Sequence, residues 1–144
     1  MFSPQLSARP GRPNPFANVY RQVGHQTAVA AATPHRLVEM LFEGVMDALA
    51  QAKGALRQGQ IENKGRALGR AARIVDEGLR AALDLRDGGA LAADLHALYA
   101  YLSMRMTAAN LRNDESAIDE CQRLLAPLQE AWQAIGPQVA GRTR

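Results

Sequence analysis

The chain holds a single cysteine, Cys121, in 144 residues. One thiol excludes an internal disulfide and any zinc site built from several cysteines, and it fits a reducing compartment. Aromatic residues are few: three Phe, three Tyr and one Trp offer little for stacking on nucleic-acid bases. No apolar run approaches the roughly 18 residues that a membrane-spanning helix needs. A secretory signal core is missing too, because Pro4, Arg9, Pro10, Arg12, Pro13 and Pro15 interrupt the leading segment. No stretch alternates apolar and polar residues in the manner of a half-buried strand. These absences describe an all-α protein, expected to stay in the cytoplasm, of about one domain by length.

Charge of one sign is also scarce where it would count. The net charge is +3, but residues 1–24 carry Arg9, Arg12 and Arg21 without an acid, and the last four residues add Arg142 and Arg144. The stretch between holds 12 basic and 14 acidic residues. The excess therefore sits in the ends, as a solvated tail would have it. Arg66, Arg70 and Arg73 share one helical face, yet no nucleic-acid-binding motif accompanies them.

Groups for chemistry are dispersed. His25, His35 and His96 have no carboxylate or second histidine at the spacing of a bundle metal site. Cys121 falls on an apolar stripe, which points to a buried, inert thiol. Gly65, Gly69 and Gly78 are scattered along a helix and form no phosphate-binding loop. No catalytic residue, metal site or cofactor is expected, and the chain reads as a non-enzyme.

What the sequence does contain is helical periodicity. Residues 1–15 form a proline-rich tail. A short additional helix is plausible from about Phe16 to Ala32, weakened by Gly24. Thr33-Pro34 then reads as a helix start: the hydroxyl caps the first turn, and proline at the first helical position sacrifices no bond. Leu37, Leu41, Val45, Leu49 and Ala52 follow on one face, and Gly59 ends the run. Ile61, Gly65, Leu68, Ala72, Val75, Leu79 and Leu83 mark the next helix. Asp87 is a candidate cap for its successor, whose stripe is Leu91, Leu95, Leu98, Leu102, Met106 and Ala109. Asp114 caps the last helix, with Ile118, Cys121, Leu125, Leu128, Trp132 and Ile135 at near-heptad spacing and Pro127 expected to kink it. The architecture this predicts is an antiparallel four-helix bundle over residues 16–136, preceded by the tail and the short N-terminal helix and followed by a flexible tail at 137–144. The small residues of the second helix, among them Gly65, Ala67, Gly69, Ala71 and Gly78, suit a shallow groove for a foreign helix.

Six segments give a further lead: "YRQV" at 20–23, "TPHRLVEMLFEG" at 33–44, "ALDLRDGG" at 82–89, "LHALYAYL" at 95–102, "AANLRND" at 108–114 and "LLAPLQEAW" at 124–132. In this order and spacing they resemble the FliS family of flagellar secretion chaperones. The proline-rich first 15 residues, Pro127 and the tail after Ile135 fall outside that pattern. The resemblance implies a helical bundle that binds the C-terminal segment of flagellin in apolar grooves. Binding would prevent premature polymerisation and deliver the client to the flagellar type III export apparatus, where the loaded chaperone meets the export gate. It also implies that the segment around Tyr20, with Gln22 and Val23, covers part of the groove until the client displaces it. Apolar residues off the core stripes, Ile74, Leu85, Tyr99, Tyr101 and Met104, are the expected contact residues, the tyrosines because they pair an apolar body with a polar edge. Two other readings of the same residues are a histidine phosphotransfer bundle using His35 and a basic nucleic-acid-binding helical regulator.

Overall fold

A computed structural model describes the backbone over residues 32–142 and the side chains over residues 32–136. The proline-rich tail, the additional helix expected from Phe16, and Tyr20, Gln22 and Val23 lie outside the described residues. Within them the chain forms four helices and no strand.

Helix α1 spans Pro34–Arg57. Thr33 has an extended backbone, and its Oγ1 accepts the Arg36 N–H at 3.1 Å, so one orphan donor of the first turn is satisfied. At the other end Gly59 has φ +73°. The Gly59 N–H donates to the Leu56 carbonyl, and the Gln60 N–H reaches back to the Ala55 carbonyl at 2.8 Å. This Schellman pairing needs a left-handed residue, which glycine supplies without strain.

Helix α2 spans Ile61–Arg73 and passes into one π-helical turn, Ile74–Leu79, in which the Arg80 N–H reaches the Val75 carbonyl at 2.8 Å. The sequence pattern predicts an uninterrupted helix here, and the extra residue per turn is the departure from it. The connection over 80–88 is held by Asp84, whose Oδ1 accepts the Arg86 and Asp87 N–H groups. Asp87 does not cap the next helix: the position before it is Gly88, with no side-chain cap bond.

Helix α3 spans Gly89–Arg112 and ends at Asn113, which is left-handed at φ 52°. Helix α4 spans Glu115–Arg142, so it extends into the stretch expected to be a flexible tail. Its cap is Asp114, whose Oδ1 accepts the Ser116 N–H and hydroxyl at 3.0 and 2.6 Å. The helix continues through Pro127, whose ring lies on the exposed face.

Each helix packs on two neighbours, α1 on α2 and α4, and α3 on α2 and α4. Side-chain bonds fix the directions. Arg57 near the end of α1 pairs with Glu115 at the start of α4, while Trp132 late in α4 donates from Nε1 to the His35 carbonyl at the start of α1, 3.0 Å away. Lys64 at the start of α2 bonds Asn110 near the end of α3. The four helices therefore alternate in direction, as short connections require. The core runs down the middle through Leu41, Val45, Leu49, Leu68, Leu102 and Leu125, with Cys121 buried among them.

Candidate partner-binding surface

Three sides of the bundle carry an ordinary polar exterior. On α1, Arg36 holds Glu39 and Glu43. On α2, Arg66 and Arg70 are taken up by Asn63 and Gln51, and Arg73 faces Glu77. A pocket of about 440 Å³ between α1 and α2 is lined by such groups, including Gln51, Gln60, Asn63 and Arg66. On α4, Lys53 of α1 reaches Asp119 and Arg57 reaches Glu115.

Helix α3 differs. Its core stripe is Ala92, Tyr99, Leu102, Met106 and Ala109, all buried, with Leu95 half-buried beside them. A second stripe, at steps of four and three, runs along the opposite side: Ala93, Ala97, Ala100, Met104, Thr107 and Leu111. None of these is charged. Met104 is 61% and Leu111 79% exposed. A solvent-facing stripe on a bundle helix is normally the place for charged residues. An apolar one is the mark of an interaction surface.

Tyr101 edges this face. Its hydroxyl donates to Glu120 Oε2 at 2.6 Å, and Arg105 holds the other carboxylate oxygen at 2.7 Å. Those two bonds, the tyrosine's first, keep the Glu120 carboxyl below its usual range, and the same hydrogen bond to Glu120 raises the Tyr101 phenol above its own. The ring is thereby held as a fixed, amphipathic rim. Leu85 lies exposed in the connection that leads into α3, and Leu91, 69% exposed, lies in its first turns.

Of the contact residues expected from sequence, Tyr101, Met104 and Leu85 are thus exposed on or beside α3. Ile74 and Tyr99 are not surface residues. Ile74 is fully buried because the stripe of α2 is wider than a single line and its π turn packs between α1 and α3. Tyr99 is buried because the core register of α3 passes through Ala92 and Tyr99, leaving Leu91 outside; burial pushes its phenol up to about 12. Leu91, Leu111 and the alanines of the second stripe were not among the expected contacts. The heptad spacing of Ala97, Met104 and Leu111, and of Ala93, Ala100 and Thr107, was the signal in the sequence that could have found the stripe.

The other candidate chemistries find no support in the geometry. His35 stacks on Trp132 with ring centroids 4.7 Å apart and planes 11° from parallel, its Nε2 3.9 Å from Glu39. A phosphoacceptor needs an exposed ring, whereas this side chain keeps only 12% of its surface open and stacks face to face on Trp132. His96 Nε2 accepts from Arg80. Among the described residues no three His, Cys, Asp or Glu side chains form a metal-binding group, and no helix is long and apolar enough to cross a membrane.

Comparison with known proteins gives a consistent picture. A family model described as flagellar protein FliS matches residues 16–139. The flagellar secretion chaperone FliS of Salmonella typhimurium is 46% identical over 84% of this chain and 90% of its own length. The flagellar secretion chaperone FliSB of Pseudomonas aeruginosa is 43% identical over 81% and 91%. FliS of Bacillus subtilis is 31% identical over 76% and 81%.

Proposed function

The chain belongs to the FliS family of flagellar proteins, and on that footing we propose that it is a flagellar secretion chaperone that holds the C-terminal segment of flagellin in the cytoplasm. The bound segment is kept from polymerising and is brought to the flagellar export gate. Recognition works by burial of apolar surface, without bond-making: the family is one of chaperones, not a class of enzymes.

The observation that carries this reading is the outer face of α3. An uncharged stripe of small residues lets a client helix approach closely, while Met104 and Leu111 supply apolar area to bury. Tyr101 supplies a rigid edge with a polar tip. The leading segment with Tyr20, Gln22 and Val23 acts as a displaceable cover of the client groove, and the charged faces of α1, α2 and α4 keep the empty chaperone in solution.

Titration calorimetry with a synthetic flagellin C-terminal peptide tests the proposal. Heat of binding and a gain of helical circular dichroism are expected, with a negative heat-capacity change from apolar burial. Burying a methionine side chain contributes about 1.5 kcal/mol, so Met104→Ala is expected to weaken binding about tenfold. No heat at peptide concentrations of about tens of micromolar, which would put binding weaker than about −6 to −7 kcal/mol, would reject the client; equal affinity of the variant would reject this face.

A further inference from the structure

We propose that the polar pocket between α1 and α2 is a docking site for an acidic segment of a partner chain, one that presents two carboxylates two residues apart in extended form. Helix α3 contributes no residue to this pocket, so the site goes beyond the client reading. Arg66 and Arg70 take part in no ion pair among the described residues, whereas Arg36, Arg57, Arg80 and Arg105 each hold a carboxylate. Their partners are neutral: Arg66 donates to Asn63 Oδ1 at 2.6 Å and Arg70 to Gln51 Oε1 at 2.5 Å. A guanidinium has nothing to accept with, so an amide oxygen must face each one. That orientation fixes the rest of the rim. Asn63 donates from Nδ2 to Gln60 Oε1 at 3.2 Å, and Gln60 donates from Nε2 to Gln58 Oε1 at 3.1 Å. All four amide oxygens of the lining are thereby occupied. What is left over is donors: the remaining N–H groups of both guanidiniums and the amide NH2 groups of Gln51 and Gln58. No acid lines the pocket; Asp47 and Glu62, the nearest in sequence, are exposed outside it. Spare donors beside two unneutralised cations call for oxyanions.

The spacing of the donors selects the ligand. They form two groups, Arg66 with Gln58 toward the turn at Gly59, and Arg70 with Gln51 farther along the helices. The two arginines are four residues apart, which is about 6 Å along α2. Between the groups the floor is small: Gly54 and Ala67 line it, and a Cβ built on Gly54 would meet nothing within 4 Å. An extended chain rises about 3.3 Å per residue and turns alternate side chains to one face. Carboxylates two residues apart therefore stand about 6.6 Å apart on the same side, matching the arginines. A single small anion would engage one group and leave the other idle. A helical segment, about 10–12 Å across, is too wide for a space of about 440 Å³. The walls at Gln51, Gln58 and Arg66 are exposed, so a chain enters from the side and the carboxylates keep part of their hydration.

Nuclear magnetic resonance of the isotope-labelled whole chain tests the site. The probe is a short end-capped peptide with two glutamates separated by one serine, added at low salt. Saturable shifts of the Arg66 and Arg70 side-chain N–H signals are expected, with a half-point below about 1 mM that rises with added salt. A control peptide with the two glutamates adjacent turns them to opposite faces and should bind clearly more weakly. Arg66→Gln should weaken binding about tenfold, as the loss of a charge-assisted bond implies. Arg86→Gln removes the same charge from an exposed residue of the connection before α3 and should change nothing. Gly54→Leu leaves every charge in place, favours the helix and fills the floor; it should abolish the shifts with helical circular dichroism unchanged. No shift at about 1 mM peptide, equal binding of the control peptide, an equal loss in Arg86→Gln, or full binding by Gly54→Leu would each overturn the proposal. So would inorganic phosphate that saturates the same signals at lower concentration than the peptide, which would give the pocket to a small anion. The flagellin titration succeeds or fails separately, because it concerns α3 and no flagellin peptide is present here.

Discussion

Lys64 is the one charged side chain among the described residues that the fold buries outright, at 3% exposure. Its Nζ donates to the Asn110 carbonyl at 2.8 Å and to Asn110 Oδ1 at 2.6 Å, so it ties the start of α2 to the end of α3. The ammonium also sits where the partial negative charge of the α3 C-terminus collects. Consider Lys64→Met, which keeps the buried stem and removes the donor. A hydrogen bond to a charged group contributes about 1.5–3 kcal/mol, and two are lost. Asn110 is exposed, however, and water recovers part of its acceptor capacity, so the net cost is set at about 2 kcal/mol. With a urea slope of about 2 kcal/mol per molar, the midpoint should fall by about 1 M at unchanged slope. Thermal unfolding should move down by about 4–8 °C. The assay is urea unfolding followed by helical circular dichroism. A loss below about 0.5 kcal/mol, the range of an ordinary surface change, would refute the claim that this amine joins α2 to α3. A double-mutant cycle with Asn110→Ala assigns the loss to this pair if the two changes together cost clearly less than their sum.

Two further outcomes follow from side chains elsewhere in the bundle. Asp114 caps α4, and its bond from the Ser116 hydroxyl, followed by those from the Ala117 and Ser116 N–H groups, holds its carboxyl below the usual value. Its folded-state value lies below the unfolded one, so the stabilisation is complete above the unfolded value and is lost as pH falls through the folded one. Urea midpoints measured from about pH 5 down to pH 2 should fall less steeply in Asp114→Asn, and an identical slope would sink the assignment. Burial pushes the Cys121 thiol up to about 11. It should react with a disulfide reagent at neutral pH far more slowly in the folded chain than in urea, and equal rates would show that the core opens there.

Much of the scaffold was readable from residues. Thr33-Pro34, Gly59 and Asp114 act locally, through a hydroxyl, a left-handed turn and a carboxylate, and local chemistry is what a sequence displays. The four stripes were readable because core packing repeats at the helical period. Three features were not. The π turn at Ile74–Leu79 depends on α2 lying between α1 and α3, a tertiary demand that leaves no motif. Asp87 does not cap α3 because the connection curls back on Asp84, whose carboxylate accepts N–H groups within the loop, and Gly88 precedes the helix. On α3 the expected stripe shares Leu102, Met106 and Ala109 with the core, but Leu91 lies exposed while Ala92 and Tyr99 face inward; that helix is apolar on both sides, so periodicity alone does not say how far the inward line extends. The same ambiguity concealed the candidate site. A line of alanines ending in Met104 and Leu111 looks like core until the true core is known.

The contact of Trp132 with His35 also has a topological meaning. Polypeptide enters the bundle at α1 and leaves it along α4 on the same pole, whereas the Asn113-Asp114 bend sits at the other. Opening the chain at that bend and splicing its former ends through a linker would give a circular permutant with every helix pairing intact. Anchoring the molecule to a sensor by the bend would leave the start of α1 and the far part of α4 turned toward the solution.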